Sequence, residues 1–225
     1  MNLIDQALQF LIDPMNWTGA VGIPKRMLEH LGYTALTMAI ALIIAVPLGL
    51  WVGHTGRGSG VVVGITGALR SLPTLGLLTL FTLLMGLGLM PPILALVLLA
   101  IPPILSGTYS GIASVNPALV DGARAMGMTE RQTLTRVEIP VALPVILGGI
   151  RNAALQVLAT VTIVAYINLG GLGRYLIDGL AVRDYSRMLA SVVLVAVLAL
   201  AADAILALIQ RLVTSPGLRL AGERS

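Results

Sequence analysis

The sequence predicts an all-α integral membrane protein with about five transmembrane helices, and three observations carry that prediction. Hydrophobic residues make up 57% of the 225-residue chain and charged residues 11%, well under the quarter usual in soluble domains. Mean hydropathy is +0.95. Apolar runs cover 33–52, 72–90, 91–111, 145–168 and 189–210, each close to the ~20 residues that cross a hydrocarbon core.

Taken from the amino terminus, the first element is a short helix lying in the interface within an N-terminal segment 1–30. Leu3, Ile4, Ala7, Leu8, Leu11 and Ile12 mark one face, Asp13, Pro14 and Asn16 end the run, and Trp17 suits the headgroup level beside it. No basic start precedes this stretch and it is short, so no cleavable signal is expected. The transmembrane body then occupies 31–212. Its second span has an ambiguous start, because 61–69 is also apolar and Arg70 interrupts it; a longer tilted or broken helix is an alternative. Pro73, Pro91, Pro92, Pro102 and Pro103 predict kinks or breaks. A loop at 113–140 separates the third and fourth runs, and 213–225 is a polar tail.

The loop at 113–140 reads as a docking element. Asn116 caps a helix whose first position is Pro117, and Gly127 closes that helix in a left-handed turn. Thr129-Glu130-Arg131-Gln132 has capping-box spacing and restarts a second helix at once, which is expected to end before Pro140. Leu119, Ala123 and Met126 fall on one face by i, i+4, i+7 spacing, flanked by Asp121 and Arg124. That face calls for a partner outside the bilayer.

Asp121-Gly122-Ala123, Gly127 and, after nine residues, Val137-Glu138-Ile139-Pro140 resemble the EAA loop of ABC importer permeases. There Glu-Ala-Ala, three residues, Gly, nine residues and Ile-x-Leu-Pro form a cytoplasmic coupling helix that fits a groove on the ATPase. The departures here keep charge sign or apolar character, although Gly122 loosens the helix by ~1 kcal/mol relative to Ala. The resemblance implies that Asp121, Gly122, Ala123, Arg124, Met126, Gly127 and Glu130 couple the chain to an ATPase. Further runs, Arg70-Ser71-Leu72-Pro73-Thr74-Leu75, Ile101-Pro102-Pro103-Ile104-Leu105, Thr108-Tyr109-Ser110-Gly111-Ile112, Ala125-Met126-Gly127-Met128-Thr129 and Gly170-Gly171-Leu172-Gly173, look like the osmoprotectant subfamily that carries glycine betaine, choline and carnitine. Methionine and other amino-acid importers share the five-span plan, so a methionine permease is the alternative. The implied assembly has two permease subunits, identical or homologous, two cytoplasmic ATPases that bind ATP and Mg, and an extracytoplasmic substrate-binding protein. Membrane lipid surrounds it, and no nucleic acid is involved.

The residues exclude other chemistries. There is no cysteine, so no disulfide or thiolate metal site. Lys25, the single lysine, follows Pro24, so no Gly-Lys-Ser/Thr phosphate loop exists and ATP hydrolysis belongs to a partner. The chain itself binds no cofactor or metal by this reading; His30 and His54 lie on opposite sides of the first span. Gly170-Gly171-Leu172-Gly173 is expected to be a tight turn, since it lacks the strand and helix of a nucleotide loop. With 113–140 in the cytoplasm, Arg57, Arg124, Arg131, Arg136, Arg211, Arg219 and Arg224 lie inside. Lys25, Arg26, Arg174, Arg183 and Arg187 lie outside, a modest positive-inside excess that places the amino terminus outside the inner membrane and the carboxyl terminus in the cytoplasm.

Polar residues within the apolar runs are candidates for a translocation path: Ser71, Thr74, Tyr109, Asn152, Gln156, Thr160 and Tyr166. Asn152, Gln156 and Thr160 repeat every four residues and share one helix face. The competing role is interhelical hydrogen bonding, worth ~0.6 kcal/mol per contact. Tyr109 and Tyr166 offer ring faces to a quaternary ammonium. Asp203, the acid well inside an apolar run, fits either a structural partner or an ion-sensing role. A secondary transporter would need more than Asp203 as its coupling site, and no nucleophile–base set supports an enzyme.

Overall fold

The computed structural model describes residues 2–213; the tail beyond them, with Arg219 and Arg224, lies outside the described residues. Among these residues every regular element is helical. Four helical stretches are long and apolar enough to cross a membrane: Ile23–Thr55, Met90–Ala113, Glu130–Ile167 and Tyr185–Val213. We label them α2, α5, the stretch containing α8 (Ile139–Thr160), and α10. The second expected span takes the broken form weighed as its alternative: two helices, α3 (Ser59–Ser71) and α4 (Thr74–Met85), with a bend of 85°. Pro73 caps α4 in an extended conformation, as a residue without an N–H does where one helix must stop and another begin.

The other expected breaks fall differently. Pro91 and Pro92 stand in the first turn of α5, where their missing N–H groups would be unpaired in any case. Pro102 and Pro103 lie inside a continuous α5, both buried, so neighbouring protein takes up what the ladder loses. The first span also begins ten residues before its apolar run, at Ile23, and its 33 residues extend about 50 Å.

The chain divides into two compact units. The first comprises Met1–Ala39, Leu72–Leu99 and Ala154–Asp203. Here α1 (Leu3–Ile12) is capped by Asn2, and Trp17 folds back to donate its indole N–H to the Leu11 carbonyl at 2.7 Å. Leu3, Ile4, Leu8 and Ile12 are exposed, whereas Ala7 is buried and Phe10 and Leu11 pack on a core of Ile23, Leu172, Tyr175 and Leu194, so the six residues expected on one face divide between two. The Phe10 and Tyr175 rings meet edge to face, 5.5 Å between centroids. The segment Gly170-Gly171-Leu172-Gly173 is the expected tight turn, leading into α9 (Gly173–Val182). Glu29 holds it by accepting the Gly171 N–H at 2.9 Å and an Arg26 N–H at 3.0 Å. The His30 ring, fully buried, donates Nε2–H to the Leu158 carbonyl at 2.8 Å.

The second unit comprises Ile40–Ser71, Ala100–Ala153 and, among the described residues, 204–213. Its helices approach by backbone contact. A Cβ on Gly49 would stand 2.6 Å from the Thr108 Cβ, one on Gly53 2.7 Å from the Ile112 Cβ, and one on Gly107 2.7 Å from the Gly149 Cα. Two Gly-xxx-Gly pairs, Gly49/Gly53 on α2 and Gly107/Gly111 on α5, thus let α5 lie against both α2 and α8. Such small-residue seams supply van der Waals contact where lipid removes any hydrophobic drive between helices. Ile112, Val115, Ala142 and Ile146 complete this core.

Adjacent glycines on α8 separate the two demands on that helix. Gly149→Ala places a methyl 2.8 Å from the Pro103 carbonyl oxygen, whereas nothing lies within 4 Å of a Cβ at Gly148. Thermal unfolding of the detergent-solubilised protein should show Gly149→Ala and Gly107→Ala destabilised by about 1–3 kcal/mol, with Gly148→Ala unchanged or slightly more stable.

Candidate functional site

The element between α5 and α8 is built by local backbone chemistry. The Asn116 side chain accepts the Ala118 N–H at 2.9 Å and Pro117 opens α6 (Pro117–Ala125). The helix closes in a Schellman turn: Gly127, at φ +84°, donates its N–H to Arg124 O at 2.9 Å, and Met128 donates to Ala123 O at 3.2 Å. A capping box restarts the chain as α7 (Glu130–Thr133). Thr129 Oγ1 accepts the Gln132 N–H at 3.3 Å, and Gln132 Oε1 accepts the Thr129 N–H at 2.9 Å. Two short helices therefore meet at a glycine, as the spacing predicts.

Two features depart from the sequence reading. The second helix does not end before Pro140 but runs on through a π-helical turn, Leu134–Glu138, into α8. Ile139 donates its N–H to Leu134 O, five residues back, so the ladder is already shifted where Pro140 can donate nothing. Nor do Leu119, Ala123 and Met126 present one outward face. Ala123 is 2% exposed and points inward beside Val120, which packs on the Ile112 and Ala142 core. The exposed ridge is Leu119 (50% exposed), Gly122 and Met126 (75% exposed), at i, i+3, i+7.

Charge surrounds this ridge. Arg124 grips Glu130 with two hydrogen bonds of 3.0 Å, from Nε and a terminal nitrogen, while Asp121 is 3.7 Å away. Donating those bonds to Glu130 raises the Arg124 guanidinium above its ordinary range. The pair is solvent-exposed, so it fixes geometry more than it adds stability. Of the seven residues predicted to couple, the structure gathers all in this one element: Asp121, Gly122, Arg124 and Met126 on the exposed side of α6, Ala123 beneath it, Gly127 at the turn and Glu130 at the start of α7.

The sequence reading missed what lies under the element. Glu138, the residue inside the Val-Glu-Ile-Pro run, is 4% exposed, and its Oε2 stands 2.6 Å from Nδ1 of His54 in the last turn of α2. The other ring nitrogen of His54 is 3.2 Å from Glu130 Oε2. An acid flanked by apolar residues before a proline was the available signal; its partner 84 residues away was not.

The candidate path residues are placed one by one. Asn152 and Gln156 are exposed and Thr160 half-exposed along one side of α8, and the Thr160 hydroxyl bonds the Gln156 carbonyl of its own helix at 2.7 Å. Tyr166 is exposed on a 3-10 segment, Val161–Ile167, that continues α8. Thr74 and Tyr109 are half-buried, and Ser71 bonds its own helix at Ala68 O. Ser71, Tyr109 and Asn152 belong to the second unit, the other four to the first.

Residues 45–215 match the family described as binding-protein-dependent transport system inner membrane component. The chain is 36% identical over 191 residues to the glycine betaine/carnitine/choline transport system permease protein OpuCB of Bacillus subtilis (strain 168), covering 85% of this chain and 88% of that protein. It is 36% identical over 205 residues to the carnitine transport permease protein OpuCD of Listeria monocytogenes serotype 1/2a (strain 10403S), with 91% and 92% covered. A chain of the inward-facing MetNI methionine ABC transporter superposes with a TM-score of 0.75 at 23% identity, covering 90% of this chain and 99% of that one. At that identity the likeness is one of fold.

The two glycines of α6 and its turn should respond oppositely to a methyl group. Gly122→Ala meets no atom within 4 Å and adds helix propensity, whereas Gly127→Ala is strained at φ +84°. Thermal unfolding should shift upward for the first and downward for the second, each by about 1 kcal/mol.

Proposed function

The chain belongs to the family of binding-protein-dependent transport system inner membrane components, and from that membership we propose that it is the permease subunit of an ATP-driven importer for glycine betaine, choline and carnitine. Membership makes it a multi-pass inner-membrane protein and a permease rather than an enzyme. The observation that carries the substrate reading is 36% identity, sustained over 85% and 91% of the chain, to permeases named for these solutes. A methionine permease shares the fold at 23% identity, which says nothing of cargo.

In this reading ATP and Mg are bound by separate cytoplasmic ATPase subunits. The ridge of Leu119, Gly122 and Met126, rimmed by Asp121, Arg124 and Glu130, is the surface they grip, and Gly127 sets its angle. An extracytoplasmic binding protein captures the solute, and a second permease, identical or homologous, completes the pore within the lipid. The solutes in view are compact and carry quaternary ammonium groups, so their path needs few fixed charges. Asn152, Gln156 and Thr160, with Ser71 and Thr74, supply neutral polar groups; Tyr109 and Tyr166 supply ring faces for weak contact with a methylated ammonium. Weak contact permits release.

Orientation follows with the docking element in the cytoplasm, the amino terminus outside and the carboxyl terminus inside. The chain has no cysteine, so introduced ones report cleanly. Ser114→Cys should be protected from an impermeant thiol reagent in intact cells, while Val182→Cys, at the end of α9, should be labelled; the reverse pattern contradicts this orientation.

Cargo is tested by radiolabelled uptake under high salt in a host lacking its own osmolyte importers. Betaine, choline or carnitine should accumulate, and Gln156→Leu or Tyr166→Ala should cut uptake several-fold while the isolated binding protein keeps its affinity. Methionine uptake without any quaternary amine would overturn the substrate assignment and leave the permease reading standing.

A further inference from the structure

Glu138 is a carboxylate in an apolar run, nearly buried, and aimed inward by the π-helical turn that ends on it. Burying a charge is costly unless it is paired, and its partner comes from a distant part of the chain. His54 stands in the last turn of α2, with Nδ1 2.6 Å from Glu138 and Nε2 3.2 Å from Glu130. The ring therefore stands between two carboxyl groups, one at each of its nitrogens. Glu130 is in turn held by the two 3.0 Å bonds from Arg124. A continuous chain of polar contacts therefore leads from α6, through the start of α7, to the end of α2, all inside one compact unit.

We infer that His54 is a positioning residue for ATP-coupled transport: with Glu138 it forms a strut through which displacement of the docking element moves the end of α2. The inference rests on the coupling role proposed above for that element. What lies beside the strut gives motion little room to dissipate. One and five residues before His54, Gly53 and Gly49 let α2 touch α5 so closely that a Cβ would overlap Ile112 or Thr108. Ile112 and Val115 then pack with Val120 of α6 and Leu134 of the π turn. The polar strut and the apolar packing join the same two elements.

A purely stabilising role is a poor account of such a pair. Two apolar residues of similar volume would pack at this place without the desolvation cost, and replacing buried ion pairs in that way is often neutral or favourable. What polar contacts at both ring nitrogens provide is a fixed direction and distance between two helices.

The test uses the complete transporter, permeases with ATPases and binding protein, in liposomes, and reads ATP hydrolysed per solute molecule imported. His54→Ala and Glu138→Ala should each raise that ratio by on the order of tenfold, the scale of one charge-assisted bond. The double variant should be no worse than either single one, because both remove the same contact. His54→Cys with Glu138→Cys, bridged by a short bifunctional thiol reagent, should bring the ratio back towards wild type, since the bridge replaces the strut. An unchanged ratio in the single variants, additive losses in the double, or uptake abolished by bridging each overturns the strut. Wild-type complex that imports methionine in place of betaine at a fixed ATP cost would defeat the substrate reading alone. Wild-type import without ATP hydrolysis would defeat the coupling reading and the strut together.

Discussion

Helices in a bilayer gain nothing from hiding apolar surface from one another, because lipid tails are as apolar as leucine. The second unit answers this constraint with contact so close that only glycine fits, at Gly49 and Gly53 against α5 and at Gly107 against Gly149. The arrangement has a mechanical consequence beyond stability. Long flexible side chains between helices would absorb small shifts, whereas backbone in contact with backbone passes them on. The docking element stands on this stiff base through Val120, Leu134 and Ile139.

The element itself is held by a different kind of interaction. Its two helices are too short to persist alone in water, so their ends carry the order: the Asn116 cap, the Schellman turn at Gly127 and the Thr129 capping box. Each satisfies backbone groups that a short helix would otherwise leave open. Because these bonds are local, the element keeps its shape while its outer ridge remains free of the rest of the chain. Its inner side, by contrast, is tied to α2 by charge.

The local parts of this structure were legible in the sequence and the relations between distant parts were not. The caps and the glycine turn depend on residues within a few positions of one another, and each appears where the spacing places it; the apolar runs mark the spans but not where each helix begins. Ala123 shows the limit. Heptad-like spacing puts it beside Leu119 and Met126, but it sits at the edge of that stripe, and a single methyl fits under the helix where larger side chains do not. The Pro140 boundary failed for a related reason. Proline forbids one hydrogen bond, and whether the chain stops or shifts its ladder depends on what is packed around it; here Glu138 is drawn inward to His54. The 85° bend at Pro73 was legible as a possible break and not as an angle. The glycine seam was written in the sequence as two Gly-xxx-Gly pairs, whose partners on α5 and α8 only the fold identifies. The path residues remain a reading of chemistry: α8 displays Asn152, Gln156 and Thr160 on one side as their spacing requires, and nothing local says what passes them.

The π turn at Leu134–Glu138 also bears on how this region tolerates changes in length. A π turn accommodates one residue more than an α turn at the same place. Deleting a residue there would let the backbone relax into ordinary α-helix, with no broken bond and no lost cap. Because the wider turn takes up its extra residue without turning the helix further, the segments on either side would keep close to their present facing. The exposed ridge of α6 would stay where it is relative to α8, with every local signal in it intact. In this stretch a chain one residue shorter could present the same surface, so homologous chains could differ here by one residue in length without losing the ridge.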